Sequence, residues 1–250
     1  DNFRSITFPQ LGSGFQLTGN RLRVQNVGTI RVRLHRPIEG VIKTATLKRE
    51  ANKWYVVLSC ELPDAKVKLS CNPSVGIDVG LTHFLTTSEG ETVSNPRYLK
   101  QSLPKLRRQQ RAMSRKQKYS RRRAKARKAV AVTHAKVKNC RNNHHWDVAN
   151  KLTRSYGKIA VESLNITSML KNGRLARSIS DVGWASFILK LKAKAESAGV
   201  LVAEVDCRGT SQTCPACGRS CPKTLDDRWH DCPCGLSVDR DQASAMEILR

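Results

Sequence analysis

Apolar and charged positions alternate with a period of two through much of the first seventy residues. Arg21-Leu22-Arg23-Val24, Thr29 to Leu34, Val41 to Leu47 and Trp54 to Ser59 each read as a short strand. Gly19-Asn20, Pro37 and Ala51-Asn52 supply the turns between them. Short strands at this spacing predict part of a small β-barrel over residues 1–70, of the wedge or oligonucleotide-binding kind. Its outward Arg and Lys suit either a nucleic-acid backbone or an ordinary solvated face.

From Val75 the pattern changes. Val75 to Val79, His83 to Thr87 and Glu91 to Ser94 read as a meander around a Ser88-Glu89-Gly90 turn. A long helical region follows over 97–155. Its first arm places Leu99, Leu103, Leu106 and Met113 on one stripe, and its second places Ala126, Val130, Thr133, Val137 and Cys140. A strand from Ile159 to Glu162, a helix burying Trp184, Phe187, Ile188, Leu191 and Ala195, a buried strand from Val200 to Val205, and a last helix burying Ala245, Met246 and Leu249 complete the chain. Alternating strands and helices predict an α/β domain around a mixed sheet.

Charge gives this outline a partner. Lys and Arg number 45 against 20 Asp and Glu in 250 residues, a formal net charge of +25, with a pI near 10.2. A polyanion is the natural complement, and nucleic acid is its commonest form. No acid occurs between Glu91 and Asp147, so the apolar stripes of the two arms back onto a basic surface. Arg107, Arg108, Arg111, Arg115, Lys116, Arg121, Arg122, Arg123, Lys125 and Arg127 are the candidate phosphate contacts. No apolar run approaches the roughly 18 to 20 residues of a spanning helix, and no signal peptide opens the chain, so a soluble, cytoplasmic, nucleoid-associated protein without a membrane partner is expected. The start at Asp1, within strand-rich sequence, reads as an N-terminally incomplete chain.

Three acids stand out against this background because each edges an apolar run: Asp78 after Gly76-Ile77, Glu162 after Ala160-Val161, and Asp241 at the start of the last helix. A carboxylate at a buried strand end is costly unless it is paired or holds a cation. Singly, Asp78 could cap a turn, Glu162 could pair with an Arg, and Asp241 could be a helix N-cap. Together they predict a site for two Mg²⁺ ions, with Asp78 bridging and Glu162 and Asp241 each completing one ion, suited to phosphodiester hydrolysis.

Cysteines carry a second signal. Cys60, Cys71 and Cys140 are isolated, whereas six of the nine fall between Cys207 and Cys234. The pairs Cys214-Pro-Ala-Cys217 and Cys232-Pro-Cys234 predict one structural Zn²⁺ held by four thiolates. Because the second pair is one residue short of the usual spacing, Cys221 or His230 could stand in as a ligand.

Gly76-Ile77-Asp78-Val79-Gly80, Val161-Glu162-Ser163-Leu164-Asn165-Ile166, Gly209-Thr210-Ser211-Gln212-Thr213-Cys214 and Leu236-Ser237-Val238-Asp239-Arg240-Asp241 resemble the motifs of the TnpB family, the OrfB accessory proteins of insertion sequences. The resemblance extends from Arg33-Leu34-His35-Arg36-Pro37-Ile38-Glu39-Gly40 to the last helix. It implies an RNase H-like (RuvC-like) mixed sheet with a long basic helical hairpin and an inserted zinc ribbon. It further implies an RNA-guided DNA endonuclease of a transposable element, partnered by guide RNA and target DNA and related to type V CRISPR effectors. Asp78, Glu162 and Asp241 match the catalytic acids, and Cys214, Cys217, Cys232 and Cys234 match the zinc ligands. The implied domains are 1–70, a nuclease domain over 71–206, the zinc ribbon over 207–235 and the closing nuclease helix over 236–250. Ala243 and Glu247 stand where the family usually has Asn, and Cys207 where Pro is common.

A non-cleaving DNA- or RNA-binding regulator and a transposase that joins strands itself are the rival readings. The second lacks support: Tyr119 and Tyr156 fall on helical stretches, and His144-His145 read as helix-face residues.

Overall fold

The N-terminal alternation folds as β1 (Ser5–Phe8), β2 (Phe15–Thr18), β3 (Arg21–Val24), β4 (Gly28–Arg31), β5 (Val41–Glu50) and β6 (Lys53–Glu61). The structure is a computed structural model that describes residues 4–51, 53–63, 69–206, 209–224 and 227–250, so Asn52 and Cys207 lie outside the described residues. Two units are distinguished. The first contains these strands together with residues 105–136, and the second contains residues 69–104 and 137–250.

In the first unit the strands form two three-stranded sheets, ordered β1-β5-β6 and β2-β3-β4. Phe15, Leu22 and Val24 from one sheet and Ala45 and Leu47 from the other share a single core. The expected partial barrel is thus a pair of sheets around common apolar side chains. The predicted strand from Thr29 to Leu34 stops at Arg31, where its partner β3 begins, and the Val32 N–H donates to the Asn20 carbonyl in the turn. The helical arms are α1 (Tyr98–Ser114) and α2 (Arg121–Ser155). Within the first unit the Thr133 hydroxyl of α2 donates to Gln109 of α1 at 2.9 Å. Of the ten basic candidates all are exposed except Lys116 and Arg123. Arg123 donates to the Met113 and Lys116 carbonyls at 3.3 and 3.0 Å, satisfying carbonyls at and just beyond the end of α1.

The second unit is built on β7 (Ser74–Val79), β8 (His83–Thr87), β9 (Thr92–Ser94), β10 (Lys158–Ser163) and β11 (Leu201–Asp206). They form one sheet in the order β11-β10-β7-β8-β9, parallel from β11 to β7 and antiparallel from β7 to β9. Around it lie α3 (Ile166–Met169), α4 (Ala176–Val182), α5 (Trp184–Ala198), the short hairpin of β12 (Trp229–Asp231) and β13 (Ser237–Asp239), and α6 (Arg240–Leu249). Asp181 of α4 is a buried acid whose two carboxylate oxygens accept from the Leu99 and Lys100 N–H groups that open α1.

Four expectations change. The Val200 to Val205 segment is not a buried strand: β11 lies at the sheet edge, only Val200 before it is buried, and Leu201 is 57% exposed. In α6 the buried residues are Ala243, Ser244, Ala245 and Ile248, while Met246 and Leu249 are half-buried. His145 is a core residue, fully buried, its ring stacked 5.4 Å from Phe84 and its Nε2 2.9 Å from the Val182 carbonyl. Tyr119 sits fully exposed in the turn between α1 and α2, and Tyr156 follows α2, donating to Glu89 at 2.7 Å.

Strand periodicity then sets two faces on the central sheet. Val75 and Ile77 of β7 and Ile159 and Val161 of β10 enter the main core with Phe84, Leu152, Phe187 and Leu191. Gly76 and Ala160 stand opposite each other on the other face, and α6 packs over these two strands. A Cβ on Gly76 would lie 1.9 Å from the Ala245 carbonyl oxygen and 2.9 Å from Leu249. Only glycine admits the helix at this depth. Gly76→Ala should therefore cost about 3 kcal/mol, the upper end of the usual overpacking range because the obstacle is backbone; a denaturant titration showing a loss under about 0.5 kcal/mol would contradict the packing described.

Candidate functional site

The residue after the Gly76-Ile77 pair is Asp78, and the residue after Ala160-Val161 is Glu162. Because Ala160 pairs with Gly76 and Val161 with Ile77, Glu162 follows in step with Asp78 on the face that receives α6. Both lie near the carboxyl ends of parallel strands, where α/β sheets open their crevices. Asp241 reaches the same place from α6. It precedes Ala245 by four residues, one helical turn, so it shares the helix side that rests on Gly76. About 6 Å of helix rise from Ala245 to Asp241 matches about 6.6 Å of strand from Gly76 to Asp78. The glycine contact thus meters all three carboxylates to one level.

Electrostatics reports their proximity. Burial first, then the carboxylates of Glu162 and Asp241, push the Asp78 carboxyl up to about 8, against smaller downward pulls from Arg240 and the Val79 N–H. Glu162 is raised by burial and partly relieved by the Thr210 hydroxyl, which donates to its Oε1 at 2.5 Å. Arg240 Nε stands 3.6 Å from Asp241 Oδ1, and its Nη1 donates to the Asp227 carbonyl at 3.0 Å. Asp241 does not cap the helix. That position belongs to Asp239, whose side chain accepts from the Asp241 and Gln242 N–H groups, leaving the Asp241 carboxylate to face the site. The three acids are half-buried oxygen donors, the type that Mg²⁺ takes, but their oxygens do not all lie within 4.8 Å of one another. Ala243 is buried in α6, and Glu247 lies 3.5 Å from Arg250.

Thr210 is a site residue that the sequence does not single out, although it lies in the Gly209-Thr210-Ser211 motif. A hydroxyl gives no charge or period to notice, and its contact with Glu162 spans 48 positions. Arg240, between two acids, is plain in the sequence, but only the structure gives it a role.

The cysteine cluster lies in the segment between β11 and α6. Cys214, Cys217, Cys232 and Cys234 bring their sulfurs within 4.8 Å of one another, with Cys214–Cys234 and Cys217–Cys232 each at 3.6 Å. These four could hold a metal ion. Knuckle bonds from Gly218 N–H to the Cys214 carbonyl and from Gly235 N–H to the Cys232 carbonyl turn the chain at each pair. Burial pushes the Cys214 thiol up, but the Cys217 N–H, the neighbouring His230 ring and the Ala216 N–H outweigh it and bring it down to about 5. For Cys232 the Cys234 N–H favours the thiolate, yet burial and the three neighbouring sulfurs push it up. Cys221 and His230 form, with Cys232, a second group whose ligand atoms also lie within 4.8 Å.

The chain is similar to known proteins along most of its length. Residues 57–173 match the OrfB_IS605 family model, described as "Probable transposase", and residues 184–248 match the "Cas12f1-like, TNB domain" model. A Streptomyces pristinaespiralis protein named "Putative RNA-guided DNA endonuclease" is 35% identical over 223 residues, covering 87% of this chain and 55% of its own length. A TnpB-like protein of Acanthamoeba polyphaga mimivirus is 28% identical over 234 residues, covering 86% of this chain and 44% of its own. Along most of its length the chain is thus similar to TnpB-family proteins. It spans a little over half the length of the first curated relatives it matches, 55% and 58%. In fold the chain resembles the protein of a Cas12f1–sgRNA–target DNA complex, with a TM-score of 0.51 at 16% identity, over 100% of this chain and 67% of that one. The shared fold is mixed α/β. No helix of the described residues is long and apolar enough to cross a membrane.

Because Asp78 binds its proton more tightly folded than unfolded, metal-free protein loses stability as pH rises from about 4 to about 8, where that proton must leave. A cation favours the ionised form, so thermal stabilisation by Mg²⁺ should grow over the same interval. Asp78→Asn should raise the metal-free melting temperature near pH 8 and abolish the Mg²⁺ increment; an increment independent of pH would contradict this.

Proposed function

We propose that the chain forms the nuclease part of a transposon-encoded, RNA-guided DNA endonuclease, acting through a RuvC-like RNase H-type site with guide RNA and target DNA as partners. The observation that carries this reading is the convergence of Asp78, Glu162 and Asp241 on one sheet face, where burial first and then the other two carboxylates raise the proton affinity of Asp78. Names of relatives and the fold likeness support it. Residues 71–206 and 236–250 would be the nuclease domain, 207–235 a zinc ribbon on Cys214, Cys217, Cys232 and Cys234, and 1–70 a wedge-like strand domain.

Asp78, Glu162 and Asp241 would hold two Mg²⁺ ions, with Asp78 shared. When bound, such ions supply an activated water and neutralise the leaving oxygen. The chain's own groups prepare the site. The β7–α6 contact fixes the carboxylates at one level, the core beneath Val75 and Ile77 keeps them from relaxing into water, and Thr210 orients Glu162 through its hydroxyl. Arg240, tied through the Asp227 carbonyl, offsets part of the negative charge before any cation arrives. The exposed arginines and lysines of α1 and α2 would track phosphates.

Asp78→Ala should abolish Mg²⁺-dependent DNA cleavage while leaving nucleic-acid affinity nearly unchanged, and Thr210→Val should reduce cleavage about 10- to 100-fold, as loss of an outer partner of a ligand does. A fully active Asp78→Ala variant would remove the proposal. Duplex affinity should fall with salt by about 0.9 logarithmic units per phosphate contacted. Neutralising Arg107, Arg108 and Arg111 together should flatten that slope by up to about 3 in a filter-binding titration, and an unchanged slope would exclude those residues from the interface.

A further inference from the structure

The cysteine tetrad leaves two donors unaccounted for. His230, on β12, is fully buried; its ring approaches the Cys214 sulfur, but neither ring nitrogen has a hydrogen-bond partner of normal geometry. A ring sealed from water with both nitrogens unsatisfied is costly, and a cation on one lone pair removes that nitrogen's share of the cost, leaving the other N–H to turn toward the Cys214 sulfur. Cys221 is half-buried beside it. Its position is enforced by backbone: the Cys221 N–H donates to the Gln212 carbonyl at 2.7 Å, and Ser220 pairs with Thr213. The Cys221 sulfur, an His230 nitrogen and the Cys232 sulfur all lie within 4.8 Å of one another.

We propose that Cys221, His230 and Cys232 bind a second metal ion of the zinc class, adjacent to the one in the tetrad, with the Cys232 thiolate bridging the two. The inference builds on the tetrad reading and extends it. Thiolate and imidazole donors suit Zn²⁺ and soft ions and exclude Mg²⁺. Charge favours the pair: four thiolates around one divalent ion leave two negative charges, whereas five thiolates around two such ions leave one. Three protein donors give the second ion an open fourth position, on the side where Cys221 meets solvent, so it exchanges faster than the first. Shortening of the second cysteine pair to Cys232-Pro-Cys234 fits this arrangement, since the chain passes from His230 through Cys232 to Cys234 with a donor at every second residue.

The test is metal content of the full chain, expressed with zinc, desalted and measured by plasma mass spectrometry, together with cadmium NMR of the exchanged protein. Two zinc ions per chain, falling to one in Cys221→Ser, and two cadmium resonances coupled through a shared sulfur, support the proposal. One ion per chain, unchanged in Cys221→Ser, overturns the second site and leaves the tetrad standing; none overturns both. Two ions that persist in Cys221→Ser, with uncoupled resonances, also overturn it, because the second ion then lies on other cysteines. Since His230→Ala risks unfolding the module, the half-exposed Cys221 carries the test.

Discussion

Everything at the candidate site hangs on how closely a helix can rest on a sheet. The α6 backbone meets β7 at Gly76, where a single methyl group would collide with the Ala245 carbonyl. Depth sets register: with Ala245 seated there, Asp241 one turn earlier and Asp78 two residues on are brought level, and the parallel neighbour β10 adds Glu162 from the side. The arrangement is stable only because the opposite face of the same strands is filled by a dense apolar core. Burial, and after it the neighbouring carboxylates of Glu162 and Asp241, raise the proton affinity of Asp78. A carboxylate cluster of this kind is a liability to the metal-free fold and an asset to a cation.

Asp181 is an instructive contrast. It is more buried than any of the three acids, yet both of its oxygens are met by N–H groups at the start of α1. Burial alone does not mark a reactive acid. A shortage of local hydrogen-bond donors, with other carboxylates in their place, does.

Much of this is legible in sequence because it is periodic or spaced. Strand alternation exposes β3, β5, β6 and β7, the stripes expose α1, α2 and α5, and paired cysteines expose the tetrad. What stays hidden depends on tertiary neighbours. The edge position of β11 cannot be read because an apolar run looks the same at an edge or in the middle of a sheet. The burial of His145 depends on Phe84 and Phe187 arriving from distant elements. Thr210 and the depth of α6 depend on contacts between segments far apart, for which no local pattern exists. Arg123 looks like its basic neighbours in sequence, and only its guanidinium, capping α1, sets it apart.

The seating of α6 on β7 also sets an order of events during synthesis. Translation delivers Asp78 first, and at about 5–20 residues per second Asp241 leaves the ribosome on the order of ten seconds or more later. A nascent polypeptide therefore carries only two of the three acids, and the proposed centre stays half-built until α6 has docked.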